Sequence, residues 1–65
     1  MQTYEIRLLK NDGSTAMLHL TVCATVQEAE TRATTIGGDV RYERYEIWEG
    51  GRKVASGSNL KAAPL

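Results

Sequence analysis

Thr25-Val26-Gln27-Glu28-Ala29-Glu30-Thr31-Arg32-Ala33-Thr34-Thr35-Ile36 is the one stretch of this chain with a helical period. Val26, Ala29, Ala33 and Ile36 recur three and four residues apart and line up as a narrow apolar stripe. Thr25 and Glu28 fit a capping box: the threonine hydroxyl accepts from the amide three residues on, and the glutamate reaches back to the cap amide. Glu28 and Arg32 stand in the favourable order for an ion pair one turn apart. Gly37-Gly38 follows, and glycine takes the left-handed turn that ends a helix. Thr31, Thr34 and Thr35 are poor helix formers, and about three turns are marginal in isolation, so packing must hold the segment. Because Ala29 and Ala33 are small, the helix is expected to lie close to what it covers, with bulky core residues coming from strands.

On either side of this segment the period becomes two. Tyr4, Ile6 and Leu8 alternate with Glu5, Arg7 and Leu9, and Ala16, Leu18, Leu20 and Val22 alternate with Met17, His19 and Thr21. Asn11-Asp12-Gly13 lies between the two runs. A two-residue loop would pair Leu8 with Met17 and Ile6 with His19, mixing apolar and polar faces. A three-residue loop pairs Leu8 with Ala16, Ile6 with Leu18 and Tyr4 with Leu20, and puts Gly13 where such a hairpin needs a left-handed residue. The three-residue register is the one expected. It sends Glu5, Arg7, Leu9, Met17, His19, Thr21 and Cys23 to the face away from the helix.

Beyond Gly38 the phase is mixed. Val40 and Tyr42 share one parity and Tyr45 and Ile47 the other, so either the loop runs through Tyr42 or a bulge near Glu43-Arg44 switches the phase. Tyr45 to Glu49 and Arg52 to Ser56 then flank Gly50-Gly51, a pair suited to a tight primed turn. That turn pairs Ile47 with Val54 on the core face. It sets Trp48 against Lys53 on the other face, where the ammonium is expected over the indole, and Glu49 opposite Arg52. The sum is an α+β fold: a two-layer ββαββ domain over residues 1–56, one helix packed on a four-stranded antiparallel sheet, with residues 57–65 as a mobile tail. The strands around the helix should be joined by a right-handed crossover, with strand order 2-1-3-4.

A 65-residue chain is one domain, with a core worth about 3–5 kcal/mol at most. Cys23 is the single cysteine and His19 the single histidine, so neither an intrachain disulfide nor a tetrahedral zinc site is available, and association with another chain is the remaining route to extra stability. The formal net charge of zero supplies no long-range field toward nucleic acid or anionic membrane. No apolar run approaches a membrane span, and a cytoplasmic location is expected, which suits a lone thiol.

Few residues carry chemistry. His19 and Cys23 share a strand face, but four residues along a strand is roughly 13 Å, whereas a working thiol–base pair needs about 3 Å. Glu5 and His19 are cross-strand neighbours in the expected register, without a nucleophile or a walled pocket beside them; a solvated pair is the plainer reading. Neither glycine pair has the spacing of a phosphate-binding loop. No catalytic residue, cofactor or metal is expected. Two readings remain for the face away from the helix. Leu9, Met17, Tyr42, Trp48 and Lys53 form a candidate protein interface, for a second copy of the chain or another protein. Alternatively Tyr42, Arg44, Trp48 and Lys53 form a stacking platform for single-stranded nucleic acid, against which Glu43, Glu46 and Glu49 place negative charge.

The layout Tyr4-x-Ile6-x-Leu8, the Asp12-Gly13 turn, an alanine-bearing helix, and Tyr45-Glu46-Ile47-Trp48-Glu49-Gly50 followed by Arg52-Lys53-Val54 resembles the small ββαββ proteins of unknown function common in alphaproteobacteria. The likeness extends to about Gly57. It implies the fold and no activity, and it assigns no functional residue. A looser similarity to antitoxin-type strand–helix domains lacks their extra strand and DNA-binding segment.

Overall fold

A computed structural model of the chain describes residues 1–36 and 41–58. Five elements follow one another: β1 (Gln2–Leu9), β2 (Thr15–Cys23), α1 (Val26–Ile36), β3 (Arg44–Glu49) and β4 (Arg52–Ser58). The strands form one antiparallel sheet in the order β2-β1-β3-β4, and α1 contacts every strand. The two-layer ββαββ architecture and the strand order agree with the alternation in the sequence. β4 runs to Ser58, so Gly57 and Ser58 belong to the sheet and not to a tail. The remaining tail positions 59–65, the helix-ending Gly37-Gly38 and Val40 lie outside the described residues.

The helix begins where the capping signal puts it. The Glu28 amide donates to Thr25 Oγ1 at 3.2 Å, satisfying one of the amides a helix leaves unpaired at its start. The apolar stripe faces the sheet, with Ala29 and Ala33 fully buried and Val26 and Ile36 at its margins. Arg32 does not turn back to Glu28. It reaches β2, where its guanidinium donates to Thr21 Oγ1 and, at 2.8 Å, to the Val22 carbonyl.

Bulk comes from the two central strands. Ile6 and Leu8 of β1 and Ile47 of β3 have no exposed surface, and Tyr4 and Tyr42 close the cluster. Tyr42 precedes β3, so the chain is still loop at that point, as one of the two alternatives at Glu43-Arg44 required. It packs into the core beneath the helix.

The first hairpin departs from its expected register, for a reason confined to one residue. The turn is the three-residue one: the Gly13 amide donates to the Lys10 carbonyl at 2.9 Å, Lys10 pairs back to Ser14, and Gly13 has φ 88°. Leu9 still opposes Thr15. The next pair is Leu8 with Met17, so Ala16 is an extra residue in β2. A one-residue slip moves every later side chain to the other face. Ile6 therefore opposes His19, Tyr4 opposes Thr21 and Gln2 opposes Cys23. Met17, Thr21 and Cys23 point to the helix side, while Leu18, Leu20 and Val22 point away and are 58%, 64% and 52% exposed.

The contacts between β2 and the helix fit this face. α1 turns Ala29 and Ala33, its fully buried residues, to the sheet and contacts β2. Threonine and cysteine fit there: Thr21 is buried with its hydroxyl held by Arg32, and Cys23 is buried with its thiol directed at the Thr25 carbonyl, 3.5 Å away. Leucine at either position would be larger than the side chain it replaced and could not make the Thr21 contact to Arg32.

The second hairpin repeats the pattern. Gly50 and Gly51 both have positive φ, 58° and 79°, as a primed two-residue turn requires. Glu49 opposes Arg52 and Trp48 opposes Lys53, but Ile47 then opposes Ala55, which leaves Val54 as the extra residue. Val54 and Ala55 both lean on the core. The expected Ile47–Val54 pair is replaced, and Tyr45 comes to oppose Gly57.

Candidate functional site

The sheet face away from the helix is built in rows. Leu20, Glu5, Trp48 and Lys53 are successive neighbours across the four strands, and Leu18, Arg7, Glu46 and Ser56 form the adjacent row. The middle of this face is polar and internally satisfied. The Arg7 guanidinium lies 4.2 Å from the centroid of the Trp48 ring and donates to Glu5. Trp48 Nε1 donates to Glu46 Oε1 at 3.0 Å, and Lys53 Nζ lies 3.7 Å from Glu46 Oε2. The expected lysine–indole contact is thus made by an arginine instead. Arg7 is the diagonal neighbour of Trp48 through the Glu5–Trp48 and Arg7–Glu46 pairs, a distance long side chains span easily. Lys53 is drawn to the Glu46 carboxylate.

Only part of the expected interface is on this face. Trp48 and Lys53 are. Met17 is not, because the Ala16 bulge turns it toward the helix-side core. Tyr42 is not, because it is 4% exposed within that core. Leu9 lies outside the core cluster but is buried, so it offers no contact surface. Leu18, Leu20 and Val22 take their place. Sequence reasoning assigned them to the core because their alternation is strong; the missing signal was the extra residue at Ala16, which no local pattern marks.

The candidates for chemistry separate. Glu5 opposes Leu20, and His19 lies on the opposite face, so the supposed cross-strand pair does not exist. Cys23 shares a face with His19 but is fully buried, with its thiol engaged locally, whereas His19 is exposed. Among the described residues no group of His, Cys, Asp or Glu gathers as a metal site, and no helix is long and apolar enough to cross a membrane.

What remains distinctive is β2 itself. It is an edge strand, and between Thr15 and Cys23 it contains no lysine, arginine, aspartate, glutamate or proline. These are the residues that ordinarily protect an edge from pairing with another chain. Its open-face side chains are an aliphatic row, and its neighbours on β1, Glu5 and Arg7, border that row with charge. The opposite edge, β4, starts with Arg52 and Lys53. Comparison of the chain with protein-family models, curated proteins and solved structures returned no match.

Proposed function

We propose that this chain is a small non-enzymatic structural module of the cytoplasm that self-associates through β2 and the aliphatic row it carries. One observation carries the reading: Leu18, Leu20 and Val22 stand more than half exposed, side by side, on an edge strand that itself contains no Lys, Arg, Asp or Glu. Single exposed apolar residues are ordinary, but a contiguous row bordered by charge is the anatomy of a contact surface. A core of this size also gains from a partner. The buried lone thiol fits a reducing compartment.

The rival reading, single-stranded nucleic acid stacked on Trp48, draws less support. A base would have to displace Arg7 from the ring, and Glu46 stands beside it. Fluorescence quenching of Trp48 by an oligonucleotide at low salt, lost as salt rises, would favour that rival.

Sedimentation of the wild-type chain and of a Leu18→Thr/Leu20→Thr/Val22→Thr variant tests the proposal. The wild-type mass should rise with concentration, while the variant should stay monomeric and folded. A wild-type chain that remains monomeric throughout, or a variant that associates equally well, would remove the reading.

A further inference from the structure

We infer that the occupant of the β2 edge is the β2 edge of a second copy, paired antiparallel about a two-fold axis at Leu20, so that four strands from each copy form one continuous sheet. The inference rests on the self-association proposed above and specifies its geometry.

Register follows from where β2 is regular. The bulge at Ala16 disrupts the strand, and beyond it the run Met17–Cys23 pairs without interruption. An edge-to-edge contact needs such a run, and the midpoint of this one is Leu20. A two-fold axis there sets Leu20 against Leu20 of the other copy, Leu18 against Val22, His19 against Thr21 and Met17 against Cys23. The two aliphatic rows then meet on one face as a single patch, with Glu5 and Arg7 of each copy at its rim. The sign of the charges favours a second copy over other pairings. Met17–Cys23 carries no carboxylate, lysine or arginine, so the two strands themselves bring no like charges together, and the Arg32 guanidinium held at Val22 of each copy would be set beside Leu18 of the other and not against its own counterpart. Pairing β4 with β4 would juxtapose Arg52 and Lys53 with their own copies. Pairing β2 with β4 is heterologous and does not close, whereas β2 with β2 is isologous and stops at a dimer.

Arg32 stands at one end of the contact. Its guanidinium already donates to the Val22 carbonyl. A carbonyl oxygen has two lone pairs, so a second bond from the partner strand is permitted. The interface is small, at the lower end of specific contacts at under about 1,200 Å², and a dissociation constant on the order of micromolar suits it.

Leu20 on the axis allows a charge-swap test. Leu20→Lys puts two ammonium groups across the axis and Leu20→Glu two carboxylates. Each variant alone should dissociate at least about ten-fold more readily than wild type by sedimentation, and an equimolar mixture should recover the dimer. Leu20 is exposed, so both variants should keep the wild-type melting temperature at low protein concentration. If either single-charge variant dimerises like wild type, edge pairing is overturned. If both are monomeric and mixing restores nothing, the two-fold axis at Leu20 is wrong while the aliphatic contact surface stands. Leu20→Cys and Leu18→Cys provide the measurement should the charged variants not fold. With oxidised glutathione as oxidant, Leu20→Cys should form a covalent dimer, since paired strand positions have Cα atoms about 4.5–5.5 Å apart. Leu18→Cys should not, because it faces Val22. The reverse pattern would refute the register.

Discussion

Gly57 lies beneath the ring of Tyr45: a Cβ placed there would come 2.5 Å from the Tyr45 Cζ. The two residues are register partners on β4 and β3, and the ring crosses the strand where glycine leaves room. The same Tyr45 hydroxyl donates to Glu30 Oε2 at 2.9 Å, so one side chain links β4, β3 and the helix.

Gly57→Ala should therefore do more than alter a strand end. The ring has to swing away and lose its bond to Glu30. We expect a loss of about 1–3 kcal/mol, as for overpacking elsewhere, which corresponds to roughly 4–8 °C of melting temperature for each kcal/mol. Combining it with Glu30→Gln should cost less than the sum of the two single effects, since both remove one contact. Calorimetry of the four proteins checks this; strict additivity would show that the ring keeps its place.

The inverted face of β2 predicts a contrast between leucines and isoleucine. At protein concentrations low enough to keep the chain monomeric, Leu18→Thr and Leu20→Thr should change stability by no more than about 0.5 kcal/mol, as for surface positions. Ile6→Ala should cost about 2–5 kcal/mol, as for a fully buried aliphatic residue. Urea titration distinguishes the two classes. Core-like losses at Leu18 and Leu20 would mean that Ala16 is not a bulge.

Arg32 and Thr21 form a bond between helix and edge strand that the sequence disguised as an intrahelical ion pair. Arg32→Met keeps much of the aliphatic stem but leaves the buried Thr21 hydroxyl without its donor, at about 1–3 kcal/mol. Adding Thr21→Val should restore part of that loss, because no polar group is then stranded. Thermal melts of the single and double variants settle it; an additive double variant would place Arg32 elsewhere.

Alkaline pH should unfold the protein through its tyrosines. Burial raises the Tyr4, Tyr42 and Tyr45 phenols above the usual 10.0, and the bond to Glu30 raises Tyr45 further. The folded state then holds these protons longer than the unfolded chain does. Their contribution to stability is fully present below about pH 10 and is lost as pH rises through the folded values. Tyrosinate absorbance followed against pH should rise together with loss of circular dichroism. Phenols that ionise near 10.0 in a still-folded chain would contradict their burial.

Local patterns along the chain were enough to place the elements, both turns and the central core. A helical stripe behind a threonine cap, glycines that tolerate positive φ, and alternation in β1 and β3 are local signals, and each is obeyed at Thr25, Gly13, Gly50, Gly51, Ile6, Leu8 and Ile47. Tertiary structure alone decided the face of β2, the partner of Val54 and the fate of Tyr42. Each depends on contacts between elements far apart in the chain: which β2 side chains meet the helix, what Arg32 reaches, and whether a hairpin admits one extra residue. The result moved the exposed apolar surface from Leu9, Met17 and Tyr42 to Leu18, Leu20 and Val22, because one extra residue at Ala16 turns every later side chain of β2 to the other face.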